Sequence, residues 1–164
     1  MRGSGSREMT QRGRVLRAWL IACLTVTLDQ LTKSLVVHSF AVGQSRPLLP
    51  PLVQLTYIQN TGAAFGLLKG QHLLFVGLSL CVIGWIVWEL LSRPAMTRTV
   101  LWGCAFVLGG AVGNLIDRLS LGYVVDFIDL RVWPVFNVGD SAITIGVGLL
   151  IAHSLFASGG RGKP

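Results

Sequence analysis

Apolar residues along the chain fall into four runs, 15–37, about 71–91, 100–116 and about 138–156, separated by shorter polar stretches. At 1.5 Å per helical residue each run is long enough, or nearly so, to cross the ~30 Å hydrocarbon core of a bilayer. The pattern therefore predicts a membrane all-α protein, a four-transmembrane-helix bundle. The segment 38–70 breaks the helical pattern. "VQLTYIQ", from Val53 to Gln59, alternates and is rich in β-formers, which predicts a strand. The "RPLLPP" before it excludes a helix. A small extracytoplasmic β platform resting on the bundle is expected there. The expected layout is a basic tail at 1–14, one four-span domain over 15–158 with extracytoplasmic segments 38–70 and 117–137, and a second tail at 159–164.

Composition agrees with a membrane class. Hydrophobic residues make up 52% of the 164 and charged residues only 13%, against roughly a quarter charged in soluble domains. The net charge of +7 would suggest nucleic acid in a soluble protein. Here the basic residues flank apolar runs, so membrane orientation explains them and no nucleic-acid partner is expected. Arg2, Arg7, Arg12, Arg14 and Arg17, then Arg93 and Arg98, then Arg161 and Lys163 fall on one side of a four-span chain. The positive-inside rule places that side, with both termini, in the cytoplasm. The opposite side carries Arg46, Lys69, Arg118 and Arg131. Arg93-Pro94 suits a turn between spans two and three. "LIAC", Leu20 to Cys23, looks like a lipoprotein cleavage box, but five residues between Arg17 and Cys23 leave no room for a signal-peptide core. The first run is read as an uncleaved span. Cys23, Cys81 and Cys104 lie in apolar runs without ligand spacing, and His38, His72 and His153 are scattered. No metal and no cofactor are expected.

Charges inside or beside the spans are the candidate chemistry. Asp29 and Lys33 lie four apart on one helical face. They form either a mutual pair that lets Lys33 snorkel or part of a functional site, since an intramembrane charge costs at least ~2.5 kcal/mol. "GGAVGNLIDRLSLG" has Gly109, Gly110 and Gly113 as a flat contact face, followed by Asn114, Asp117 and Arg118. The spacing alone favours interfacial anchors and an interhelical hydrogen bond. Asn137 and Asp140, at the start of the fourth span, have helix-cap spacing. Five of seven acidic residues, Asp29, Asp117, Asp126, Asp129 and Asp140, fall near one membrane face with no histidine beside them, so serine–histidine chemistry is poorly supported. Two neighbouring carboxylates cannot both ionise easily, and such a pair can activate water and polarise a carbonyl. An ion-coupled transporter and a non-catalytic assembly subunit are the rival readings. A small four-span chain without repeats speaks against the first.

Five ordered blocks carry a resemblance: "LDQLTK" (Asp29, Lys33), "NTGAAFG" from Asn60, "GGAVGNLIDR" (Gly110, Asn114, Asp117, Arg118), "GYVVDFID" (Asp126) and "WPVFNVGDSAI" (Asn137, Asp140). In that order and on four spans the chain is similar to lipoprotein signal peptidases, the type II signal peptidases. The resemblance implies an intramembrane aspartic endopeptidase of the bacterial cytoplasmic membrane that cuts prolipoproteins before a diacylglyceryl-modified cysteine. It assigns Asp126 and Asp140 as the catalytic pair and Asn60, Asn114, Arg118 and Asn137 as polar pocket residues. Asp29, Lys33, Gly110 and Asp117 become site support. The partners it implies are lipid-modified prolipoprotein signal peptides and membrane lipids, for a monomeric enzyme. One departure stands out: the family usually has Ala before the second aspartate, and this chain has Gly139. The missing methyl is expected to loosen the Asp140 rotamer. Asp129 matches no motif and is expected to be a surface-loop carboxylate belonging, with Arg131, to the linker between the two aspartates.

Overall fold

The computed structural model describes residues 11–62, 70–93 and 95–158. The tails, Pro94 and most of the "NTGAAFG" block lie outside these. Seven elements follow in chain order: α1 (Gln11–Ser39), β1 (Ser45–Leu49), β2 (Val53–Asn60), α2 (His72–Ser92), α3 (Arg98–Leu121), β3 (Val124–Asp129) and α4 (Val138–Ser158). All four helices are long and apolar enough to cross a membrane. The expected four-span bundle with a small β platform is the observed architecture.

The span boundaries differ from those read in the sequence. α1 is already helical at Gln11, ahead of the expected start at 15. α3 runs on to Leu121, beyond the expected end at 116. Asp117 and Arg118 are therefore helical residues and not part of the 117–137 connection. Hydropathy falls at those charges, but the backbone ladder does not stop until Gly122, whose φ of 81° and N–H to the Arg118 carbonyl form a left-handed C-cap.

α3 is the central helix and, among the described residues, the one span largely covered by the other elements. Its glycine face determines how it is covered. A Cβ at Gly109 would lie 2.6 Å from Thr25 Cβ of α1, and one at Gly103 2.8 Å from Leu150 Cγ of α4. One at Gly110 would collide with the Gly139 carbonyl, and one at Gly113 with the Asp29 carboxylate. Small residues at these positions let backbones approach closely enough for dispersion to hold the bundle where lipid offers no hydrophobic drive. The pairing order makes α1 parallel to α3, and α4 antiparallel to it. A core of Ala18, Ala22, Ile86, Leu90, Leu101, Cys104 and Leu108 fills the half of the bundle near the start of α3.

At the other end sits a three-stranded antiparallel sheet, ordered β1-β2-β3. The 53–59 strand was expected. β1 and β3 were not: β1 contains Pro47, tolerated because β1 is an edge strand. β3 is a continuous apolar run broken by Asp126, which gives no alternation to read. Val36, Tyr57, Val125 and Phe127 form a second core beneath the sheet. After β3 the chain loops out and returns, with Phe136 bridging Ile128 in both directions (N···O 2.8 and 3.1 Å). That return brings α4 back to β3.

Adding bulk at the α1–α3 contact should destabilise the bundle, whereas Gly84 of α2 has nothing within 4 Å of a built Cβ. We expect Gly109→Val to cost about 1–3 kcal/mol by overpacking. Gly84→Ala should be neutral or slightly stabilising. Thermal unfolding of the two variants in detergent micelles distinguishes these outcomes.

Candidate active site

The site is built on a buried ammonium. Lys33, 3% exposed, points from α1 into α3 and lies 2.7 Å from Asp29 Oδ2, 3.0 Å from Asp117 Oδ2 and 2.8 Å from Asn114 Oδ1. Its three protons thus have three acceptors. Asp29 and Asp117 are equally buried, and their remaining acceptor capacity is also used. Asp29 Oδ1 accepts the Gly139 N–H (2.7 Å) at the start of α4, where the helix dipole favours an anion. Asp117 Oδ2 accepts the Val125 N–H of β3 (2.9 Å). Gln30 Nε2 donates to both carboxylates and to the Gly113 carbonyl. A buried pair stripped of such partners would not repay its desolvation.

The first reading of the Asp29–Lys33 pair, a mutual ion pair, holds in part. The mutual ion pair is present, but Lys33 does not snorkel. It turns inward and ties α1 to α3, while Asp29 reaches α4 and Asp117 reaches β3. The interfacial-anchor reading of Asp117 fails because the aspartate faces the bundle interior.

Asn114 relays this network onward. Its Oδ1 takes Lys33 and Asn137 Nδ2 (3.1 Å), and its Nδ2 donates to Asp140 Oδ1 (2.8 Å). Asn137, fully buried, caps α4: the Asp140 N–H donates to its Oδ1 (2.9 Å), and its own N–H donates to Asp140 Oδ2 (3.3 Å). This reciprocal arrangement is a capping box. The same Asn137 also donates through Nδ2 to Asp126 Oδ1 (2.7 Å), so one side chain both caps the helix and bridges the two aspartates. Asn60, at the end of β2, donates to Asp126 Oδ2 (2.8 Å) and accepts the Gly62 N–H.

Asp126 and Asp140 line one cavity of about 280 Å³ with Asn60, Arg118, Trp133 and Phe136. Arg118 lies over the Phe75 ring, 5.4 Å from its centroid, and donates to the Asn114 carbonyl. Asp126 is 1% exposed, and burial, then the charge of Asp140, raises its carboxyl to about 7 against the opposing bonds of Asn60 and Asn137 and the charge of Lys33. The structure thus connects Asp29, Lys33, Asn60, Asn114, Asp117, Arg118, Asp126, Asn137 and Asp140 through contacts with one another. Gly110 joins through backbone contact with Gly139.

Two residues of the 117–137 segment take a place that the sequence did not show. Asp126 sits on a strand, β3, while its proposed partner Asp140 sits on a helix. Asp129 is the last residue of β3 rather than a loop carboxylate: it accepts from Gln54 (2.7 Å) and Thr56 (3.0 Å) of β2, and from the Arg131 N–H. Arg131 Nη1 reaches Gln54 in turn, so both residues brace the sheet. Gln30 was overlooked, since a single amide beside Asp29 carries no signal of its own. Gly139 proves to be tightly surrounded: a Cβ there would stand 3.1 Å from each of Asn137 Oδ1, Asp29 Oδ1 and the Gly110 carbonyl. Asp140 is held by its cap and by Asn114, so nothing in the geometry suggests that the missing methyl loosens it.

A family model described as "Signal peptidase (SPase) II" matches residues 21–156. The lipoprotein signal peptidase of Halothermothrix orenii is 41% identical over 136 residues, covering 82% of this chain and 92% of that protein. That of Moorella thermoacetica is 43% identical over 144 residues, covering 88% and 96%. A bacterial membrane enzyme solved by the in meso method at 2.3 Å resolution superposes with a TM-score of 0.85 at 31% identity, covering 90% of this chain and 93% of that one. With the family model spanning most of the chain and relatives this similar along nearly their whole length, the chain belongs to the lipoprotein signal peptidase family, signal peptidase II.

Proposed function

We propose that this membrane peptidase is an aspartic endopeptidase in which Asp126 and Asp140 share one proton and hold the attacking water between them. The observation that carries this reading is the pair of carboxylates, from a strand and from a helix N-terminus, lining one cavity and bridged by Asn137. Asp140, at the start of α4, is the partner carboxylate, held by Asn114 and by the Asn137 N–H. Asp126, buried and raised to about 7, keeps the proton and polarises the scissile carbonyl. Arg118 and Asn60 line the cavity wall where the peptide backbone would be gripped.

The substrate is a prolipoprotein signal peptide, cut before a diacylglyceryl-cysteine. A second, apolar groove of about 410 Å³, lined by Leu130, Trp133, Phe136 and Ile145, shares Asp140 with the first cavity. A lipid chain seated there would place the modified cysteine beside the dyad, so that binding itself orients the bond. The positive-inside bias puts both termini in the cytoplasm and the site at the outer face of a bacterial cytoplasmic membrane. One chain supplies every site residue, which fits a monomer.

Purified Asp126→Asn and Asp140→Asn variants should each lose at least ~100-fold in cleavage of a lipidated precursor peptide while melting as folded proteins. A gel-shift assay reads the cleavage, and wild-type turnover by either variant would eliminate the dyad. The proton on Asp126 has a sign that can be checked. Its folded value lies above its ordinary 3.8, so protonation contributes stability that is complete below 3.8 and lost as pH rises to about 7. Melting temperatures of wild type relative to Asp126→Asn should therefore fall between about pH 4 and pH 7. Parallel curves for the two proteins would show that the carboxyl carries no such proton.

A further inference from the structure

The end of the bundle opposite the site carries a groove of about 350 Å³ between α1 and α3, lined by Arg17, Leu20, Ile21, Arg98, Leu101 and Trp102. Its two arginines lie at one depth. Arg17 is sixteen residues before Lys33 on α1, and Arg98 sixteen before Asn114 on α3. Lys33 and Asn114 are hydrogen-bonded and the helices run parallel, so both arginines sit roughly 24 Å below the site. That distance puts them at the other membrane interface. Above them, toward the bilayer centre and the site, the wall is apolar, with Leu20 and Trp102 about half exposed. Trp102 is an aromatic of the kind enriched at interfaces.

The charge balance at this end is one-sided. Among the described residues this end carries Arg12, Arg14, Arg17, Arg93 and Arg98 against one acid, Glu89. The geometry points to a binding site for an anionic phospholipid of the leaflet opposite the active site. Its phosphate lies between Arg17 and Arg98, and an acyl chain runs along Leu20, Leu101 and Trp102. Two guanidiniums supply charge and directed donors for phosphate oxygens, and the apolar floor supplies what a free anion would not use. No residue of the groove belongs to the proposed catalytic machinery, so lipid binding here is separable from cleavage.

Native mass spectrometry of the detergent-solubilised protein, titrated with phosphatidylglycerol and with phosphatidylcholine, tests the proposal. Wild type should retain phosphatidylglycerol selectively. Arg17→Gln/Arg98→Gln should weaken that retention by roughly tenfold or more, to the phosphatidylcholine level, without changing cleavage of the precursor peptide. Arg98→Gln alone should weaken retention, whereas Arg12→Gln, which removes the same single charge at the same end but outside the groove, should leave it intact. Glycerol 3-phosphate, the soluble headgroup, should not displace the lipid. Equal retention of the two lipids, retention by the double variant, an equal loss in Arg12→Gln and Arg98→Gln, or displacement by glycerol 3-phosphate would each overturn the site.

Discussion

A single buried ammonium organises the structure. Lys33 has almost no contact with solvent, yet it meets two carboxylates and an amide within 3.0 Å. Leaving any of these charges alone in the bundle would cost several kcal/mol, so each enforces the placement of the others. From Lys33 the bonds lead through Asp29 to the first turn of α4, through Asp117 to β3, and through Asn114 to Asp140. The two elements that carry the proposed catalytic carboxylates are thus both anchored to one point on α1.

The glycines of α3 make that anchoring possible. Asp29 reaches the Gly139 N–H only because Gly113 presents no side chain, and α4 reaches Asp29 only because Gly110 lets the Gly139 carbonyl approach. Close packing and the polar network therefore depend on each other. The glycine face brings the helices near enough for bonding, and the bonds fix the rotation of α1, α3 and α4 about their axes. The apolar half of the bundle, around Ile86 and Leu108, holds the spans together by packing.

The four spans were legible because hydropathy over about 20 residues is a strong signal that tertiary context seldom overrides. The central strand was legible because 53–59 alternates. Strand β3 was not, since its residues are buried on both faces and read as one more apolar run. The end of α3 was misjudged for a related reason. Charges such as Asp117 normally mark the membrane boundary, but here the charge is neutralised internally and the helix continues to Gly122. The site residues were identified through ordered motifs. Spacing alone suggested caps and anchors for Asn137, Asp140 and Asp117, and the cap reading proved compatible with a site role because Asn137 does both. Gln30 and the bracing role of Asp129 depend on contacts across 73 to 87 residues, which local pattern does not report.

The dependence of the site on Lys33 is tested most directly by comparing Lys33→Met with Lys33→Met/Asp29→Asn/Asp117→Asn in thermal and denaturant unfolding in micelles. The single variant strands two carboxylates and should lose about 3–5 kcal/mol, whereas the triple variant removes the stranded charges and should recover most of that loss. A single variant as stable as wild type, or a triple variant no more stable than the single, would contradict the role assigned to this ammonium.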